Sequence, residues 1–118
     1  MIRKILVALD NSDFAHKVML QALELAKVYQ AQLFAVSVIN YSVVLDKCKQ
    51  LAGEFGIDYL QDMLSGHPAE EIIKYAEENS VDLIVVGHIG KSGAAGLILG
   101  SVSQKVSAHS KCSVVIVK

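Results

Sequence analysis

Apolar residues in this chain occur in two patterns that alternate along its length. Short uninterrupted runs such as Ile5–Leu9 are typical of strands that are buried on both faces. These runs predict five strands, at about Arg3–Leu9, Gln32–Val38, Asp58–Leu64, Asp82–Val86 and Ser113–Val117. Between them, apolar residues recur every three or four positions, which predicts helices at about Asp13–Tyr29, at Val43–Gly53, from Pro68 onward and at Gly100–Ala108.

The predicted helices each have an apolar face that needs a sheet to cover it. In the first helix this face consists of Ala15, Val18, Met19, Ala22 and Ala26. Asn11 or Ser12 is expected to cap the amino end of that helix, because both side chains can accept a hydrogen bond from an unpaired backbone N–H. Pro68 suits the first position of the third helix, where its missing N–H costs nothing.

The alternation of strands and helices predicts the fold class. Continuous apolar strands that alternate with helices favour an α/β fold with a parallel sheet covered on both faces. Right-handed crossovers make such a sheet doubly wound, and we expect five strands in the order 3-2-1-4-5. The third strand is the most polar, as expected at a sheet edge. The length of 118 residues predicts one domain over 1–118.

The strand order predicts where a ligand binds. In doubly wound folds the binding crevice lies at the carboxyl ends of the strands, where the strand order reverses. Here that point lies between the first and fourth strands. Asp10 ends the first strand, Val38 closes the second, and Gly87 follows the fourth, so we expect these three residues to meet at one crevice.

A glycine-rich segment follows the fourth strand. Five of the eight glycines fall between Gly87 and Ser101, which indicates a backbone suited to close approach or unusual dihedral angles. The segment leads into the last predicted helix. Unpaired N–H groups and the helix dipole both favour an anion such as phosphate at a helix amino terminus.

Several familiar nucleotide motifs do not match. A Walker A loop needs a glycine five residues before Gly90, where the chain has Val85. The dinucleotide fingerprint fails because no glycine follows the first strand. The segment His88–Lys91 is similar to a class I synthetase signature but follows the wrong strand. A phosphoacceptor receiver domain needs an aspartate after the third strand, where Leu64–Gly66 has none.

Composition and charge exclude further classes. A net charge of −1 gives no general attraction for nucleic acid or an anionic membrane. The apolar runs are too short to span a bilayer, and the opening residues lack a cleavage-site pattern, so we expect a cytoplasmic protein. Cys48 and Cys112 have no metal-ligand spacing and are expected to be reduced thiols. Apolar residues make up 53% of the chain, which indicates a face buried against a partner.

The spacing Gly-x2-Gly-x9-Gly-Ser, formed by Gly87, Gly90 and Gly100-Ser101, resembles the ATP-binding pattern of the universal stress protein family. The resemblance covers nearly the whole chain and includes Ile5–Asp10, Gly66-x-Pro68, Val85–Gly87 and His109–Val117. It implies a Rossmann-like fold of the adenine nucleotide alpha hydrolase type. It also implies a homodimer joined antiparallel through the fifth strand, at Val114, Val115, Ile116 and Val117.

The resemblance assigns binding roles by position. It implies that Asp10 and the main chain of Val38 hold the adenine and ribose, and that the backbone at Gly87 lies against the ribose. It places the phosphates against Gly90, Lys91, Gly100, Ser101, Val102 and Ser103. The implied ligand is ATP, ADP or AMP, and whether Mg²⁺ accompanies it stays open.

These features predict an ATP-binding regulatory or stress-response module rather than a catalyst. No nucleophile lies beside a base in the pattern, so no catalytic residue is assigned, and the choice between no turnover and weak ATPase or autophosphorylation activity is open. Two alternatives remain: a dimerisation module of the same fold that binds no nucleotide, and a slow ATP hydrolase. The second would need Asp10 or Asp13 to hold a metal ion.

Overall fold

A computed structural model describes residues 1–38, 42–88 and 99–118 of the chain. In these residues strands and helices alternate as the sequence predicts. The strands are β1 (Lys4–Ala8), β2 (Gln32–Ser37), β3 (Tyr59–Met63), β4 (Leu83–Gly87) and β5 (Ser113–Val117). The helices are α1 (Ala15–Tyr29), α2 (Ser42–Phe55), α3 (Pro68–Glu78) and α4 (Leu99–His109).

The five strands form one parallel sheet in the order β3-β2-β1-β4-β5. The predicted fold class and strand order are therefore confirmed. β1 lies at the centre, with β2 on one side and β4 on the other. The chain runs from the centre to one edge and then returns to the other side, so the strand order reverses beside β1.

Alternate residues of the central strands supply two separate cores. On the first face, Ile5, Leu33 and Val85 pack with α1 and α2, chiefly through Met19, Leu23 and Leu45. On the second face, Leu6, Phe34 and Ile84 pack with α3 and α4, chiefly through Ile72, Ala76 and Val106. Burial on both faces explains why the central strands are continuous apolar runs rather than alternating ones.

The edge strand β3 differs from the rest of the sheet. Four of its five residues are exposed, which agrees with its polar sequence. Its half-buried residue, Tyr59, has its hydroxyl oxygen 3.0 Å from the carbonyl oxygen of Leu45 in α2. Cys48, on the same helix, is fully buried, and burial raises the pKa of its thiol to about 11. Cys48 is therefore a neutral core residue, and both it and Cys112 are free thiols, as predicted.

Candidate functional site

The carboxyl ends of three neighbouring strands form the floor of the predicted crevice. Ala8 pairs with Val36, and the N–H of Leu9 donates to the carbonyl oxygen of Val36 at 2.9 Å, so the β1–β2 pairing continues beyond β1. Continuing this register places Asp10 level with Val38. The pairing of Val7 with Val85 likewise brings the end of β4 to the level of the β1 end. The structure thus brings Asp10, Val38 and Gly87 to one edge of the sheet.

Asp10 begins the turn that leads into α1. Its Oδ1 accepts a hydrogen bond from the backbone N–H of Ser12 at 3.0 Å, a turn that aspartate commonly forms. The carbonyl oxygen of Ser12 then accepts from the N–H of Ala15 at 3.1 Å, where α1 begins. Phe14 occupies the cap position without a side-chain hydrogen bond. The prediction that Asn11 or Ser12 caps the helix is therefore wrong, because the Asp10 turn places the helix start further along the chain.

His88 fixes the chain where it leaves β4. Its backbone N–H donates to the carbonyl oxygen of Val117 at 2.9 Å, and its Nδ1 lies 3.1 Å from the same oxygen. Because a carbonyl oxygen only accepts, this contact requires the proton on Nδ1. The imidazole ring also packs against Phe14 at the start of α1. One side chain therefore joins the end of β4 to β5 and α1.

Four of the predicted phosphate residues lie at the amino end of α4, whose first turn begins at Leu99. Gly100 lies within this turn, whose N–H groups have no partner inside the helix. Ser101 is exposed, Val102 packs against the core of the second face, and Ser103 is buried with 4% of its surface exposed. Val102 and Ser103 therefore lie on the side of the helix that packs on the protein, and Ser101 lies on the side that faces solvent. Gly90 and Lys91, the other two predicted phosphate residues, lie outside the described residues.

Charge at the described part of the site is mixed. The carboxylates of Asp10 and Asp13 lie at the β1–α1 turn, and the Lys17 ammonium lies 5.4 Å from the centre of the Phe14 ring. Across residues 1–38, 42–88 and 99–118, no three His, Cys, Asp or Glu side chains form a group able to hold a metal ion.

In the same part of the chain, no helix is long and apolar enough to cross a membrane.

Sequence reasoning missed three residues at this site. It did not predict the contact between Phe14 and His88, and it misassigned Ser12 as a helix cap. The aromatic contact had no local signal, because its members belong to different elements that only the fold brings together. For Ser12 a signal existed, since an aspartate two residues earlier competes for the backbone N–H groups of the turn.

This architecture defines the class of doubly wound α/β proteins with a crevice at the strand-order reversal. Within that class, the chain belongs to the universal stress protein family, whose family model matches residues 1–50 and 46–118. It is similar to the universal stress protein YxiE of Bacillus subtilis, at 36% identity over 148 aligned positions that include all of both chains. It is also 32% identical to the universal stress protein MJ0531 of Methanocaldococcus jannaschii, covering 98% of this chain and 82% of that relative.

Solved structures show the same relationship. A universal stress protein in complex with cAMP superimposes with a TM-score of 0.85 at 29% identity, covering 98% of this chain and 96% of that one. A universal stress protein from Archaeoglobus fulgidus superimposes with a TM-score of 0.82 at 25% identity over the whole of both chains. The sequence comparisons and the structural comparisons therefore indicate the same family and the same fold.

Proposed function

We propose that this chain is a cytoplasmic adenine-nucleotide-binding regulatory protein of the ATP-binding subgroup of universal stress proteins, acting as one domain over 1–118. The observation that carries the proposal is the meeting of Asp10, Val38 and Gly87 at the strand-order reversal beside β1. The cAMP complex of a protein 29% identical to this one supports an adenine nucleotide as the ligand class.

The base and sugar bind on the β1 and β2 side in this proposal. The main chain of Val38 provides N–H and C=O groups for the adenine edge, and its apolar side chain packs into the core of the second face. The Asp10 carboxylate accepts a hydrogen bond from the sugar. Gly87 has no side chain, so the backbone at the end of β4 can approach the ribose closely.

The phosphates bind at the amino end of α4. Gly100 and Ser101 present backbone N–H groups there, the Ser101 hydroxyl is exposed to a ligand, and Val102 and Ser103 complete the amino end of the helix in the proposed phosphate site. Gly90 and Lys91 complete the proposed phosphate site. Hydrogen bonds that involve a charged partner contribute about 1.5–3 kcal/mol each, so a few of them support micromolar affinity, roughly −8 kcal/mol.

Regulation follows from the position of the segment between Gly87 and Gly100, which links the two halves of the proposed site. In this proposal a partner protein recognises the nucleotide-bound form of the chain. Turnover is not part of the proposal, because the sequence pattern assigns no nucleophile beside a base. Two copies of the chain join through β5, which places a second site in the same assembly.

Calorimetric titration with ATP, ADP and AMP, each with and without Mg²⁺, tests the proposal. The decisive variant is Ser101→Glu, which places a carboxylate where the phosphates bind. Ser107→Glu is its matched control, because Ser107 is also exposed on α4 but lies near the other end of the helix. We expect micromolar binding to the unmodified chain and the control, and at least tenfold weaker binding to Ser101→Glu.

Two results contradict the proposal. If the folded protein shows no binding at millimolar nucleotide, it is not a nucleotide protein, and a dimerisation module of the same fold becomes the better description. If Ser101→Glu and Ser107→Glu bind equally well, the phosphates do not lie at the amino end of α4. Phosphate release from bound ATP, measured in the same samples, would reveal a slow hydrolase.

A further inference from the structure

One hydroxyl group beside the proposed site is buried without a hydrogen bond. The Oγ of Ser12 is shielded from solvent and has no partner among the residues that the structure describes. A buried hydroxyl without a partner is costly, because it has lost its bonds to water and gained none in the protein. Such a group needs an explanation, either as a structural defect or as a position that something else occupies.

The backbone of Ser12 is held in place by two hydrogen bonds, which limits how far its side chain can move to find a partner. Its N–H donates to Oδ1 of Asp10 at 3.0 Å, and its carbonyl oxygen accepts from the N–H of Ala15 at 3.1 Å. Both backbone groups are therefore bonded, and the residue is fixed between the end of β1 and the start of α1. Because the hydroxyl caps no helix, it is free of the role that serine ordinarily has at this position.

The chemistry of the turn indicates what this hydroxyl binds. The Asp10 carboxylate lies two residues away on the same turn and repels a phosphate. An uncharged sugar is the part of a nucleotide that suits this neighbourhood. A ribose hydroxyl can donate to the carboxylate, which only accepts, while it or its neighbour exchanges a hydrogen bond with serine, which can donate or accept.

We infer that Oγ of Ser12 is a further ligand-binding group, which contacts a ribose hydroxyl beside Asp10 and makes the site selective for ribonucleotides over deoxyribonucleotides. The inference rests on the proposed nucleotide function and deepens it. In the absence of nucleotide the hydroxyl is unpaired, and in the complex it gains the partner that it lacks. Its contribution is thus larger to binding than to folding.

The test compares the unmodified chain with Ser12→Ala for three ligands: AMP, 2′-deoxy-AMP and 3′-deoxy-AMP, titrated by calorimetry. We expect Ser12→Ala to weaken AMP binding about five- to twentyfold. For the deoxynucleotide that lacks the partner hydroxyl, the two proteins are expected to bind equally, because the ligand no longer has the group that Ser12 contacts. This cycle isolates the pair from other effects of the substitution.

Ser12→Cys is a control for the loss of side-chain volume in Ser12→Ala. A thiol fills nearly the same space but is a weak hydrogen-bond donor, so we expect it to lose AMP affinity as Ser12→Ala does. Ser107→Ala, on the exposed side of α4, is the control and should bind AMP normally. If Ser12→Ala does not fold, the same cycle with Ser12→Cys decides the question.

The unfolding temperature without ligand separates a ligand group from a structural one. Removing an unpaired buried hydroxyl should leave this temperature unchanged or raise it. A drop of several degrees with unchanged AMP affinity means that an internal water molecule satisfies Ser12, and this overturns the inference. Equal weakening for all three ligands also overturns it. If the unmodified chain binds none of the three and also fails to bind ATP and ADP, the proposed function fails as well, whereas normal binding with an unaffected Ser12→Ala refutes only the inference.

Discussion

The imidazole ring of His88 meets the phenyl ring of Phe14 nearly edge-on, with ring centroids 5.1 Å apart and an angle of 83° between the ring planes. This geometry is favourable for aromatic pairs, because the positive edge of one ring faces the negative face of the other. The contact joins the end of β4 to the start of α1, and these two segments border the proposed crevice. The contact therefore stabilises the relative position of the two segments that border the proposed crevice.

A double-mutant cycle on Phe14→Ala and His88→Ala should reveal this contact. We expect a coupling of about 0.5–1.5 kcal/mol in the free energy of unfolding, measured by urea denaturation. His88→Ala alone should cost more than the coupling, because it also removes the Nδ1 contact with Val117. Strictly additive single effects, within about 0.3 kcal/mol, would show that the rings contribute no direct interaction.

Asp82 connects the amino ends of β4 and β1. Its Oδ2 accepts the backbone N–H of Arg3 at 2.9 Å and that of Lys4 at 3.0 Å. These donors, the Arg3 N–H foremost, lower the pKa of the Asp82 carboxyl below its ordinary value near 4. The folded chain thus holds the proton less tightly than the unfolded chain does. The contribution of Asp82 to stability is complete above the unfolded pKa and is lost as the pH falls through the folded pKa.

Asp82→Asn should destabilise the protein by about 1 kcal/mol at neutral pH, because the amide is a weaker acceptor for the two N–H groups. The difference from the unmodified chain should be constant above about pH 5 and should shrink as the pH falls below about 4. Urea denaturation at a series of pH values from 3 to 7 measures it. A difference that is the same at every pH would mean that the charge of Asp82 has no role.

Cys48 and Cys112 should differ in their reactivity towards a thiol reagent. Cys48 is fully buried, and burial raises its pKa to about 11, so both access and the thiolate fraction are small. Cys112 is half-buried. With a disulfide reagent at pH 8, we expect one faster phase that disappears in Cys112→Ser and persists in Cys48→Ala. Rapid modification of Cys48 in native Cys112→Ser would contradict the packing of α2 against Tyr59.

Two glycines should respond in opposite directions to substitution by alanine. Gly66 has φ +123°, and a Cβ there would lie 3.1 Å from Cγ of Glu71, so Gly66→Ala should cost about 1–2 kcal/mol. Gly53 lies inside α2 and has nothing within 4 Å of an added Cβ, so Gly53→Ala should stabilise by about 0.5–1 kcal/mol. Thermal unfolding of both variants measures the signs. A stabilising Gly66→Ala would mean that the turn before α3 adopts another backbone conformation.

The proposed dimer can be tested on matched positions at the two edges of the sheet. Ile116 on β5 has 36% of its surface exposed, whereas Val115 packs against the core of the first face and is a poor choice for a surface test. Leu60 on β3 is the control, with 51% exposed on the same face of the sheet. We expect Ile116→Asp to give monomers and Leu60→Asp to give dimers by light scattering. A dimeric Ile116→Asp protein that is correctly folded would place the interface elsewhere.

The strand order was predictable because it follows from local patterns and general packing rules. Apolar runs at Ile5–Leu9 and Leu83–Val86 marked strands buried on both faces, and the polar Asp58–Leu64 marked an edge. The boundaries shifted slightly for reasons outside the local sequence. β4 begins at Leu83 instead of Asp82, although the Asp82 N–H still donates to the carbonyl oxygen of Lys4 at 2.9 Å and its carboxylate accepts from the N–H groups of Arg3 and Lys4.

The candidate site was predictable only in part. The topology predicted that the ends of β1, β2 and β4 meet, and the pairing registers confirm that Asp10, Val38 and Gly87 reach one edge. The roles of these residues towards a nucleotide stay predictions, as do those of Gly90 and Lys91. The start of α1 was misjudged because the sequence analysis did not weigh the Asp10 carboxylate, two residues before Ser12, as a competing acceptor for the N–H groups of the turn.

The sequence by itself determined which segments become strands and helices, in what order the strands pair, and to which family the spaced glycines belong. The elements depend on periodicity among residues close together in the chain, and the strand order follows from general packing rules applied to those elements. Only the tertiary structure decided that Nδ1 of His88 lies beside the carbonyl oxygen of Val117, that the Asp82 carboxyl has a lowered pKa, and that the Ser12 hydroxyl has no partner among the described residues. Each depends on the position of atoms supplied by other elements, because hydrogen bonding and burial act over ångströms in space regardless of separation along the chain.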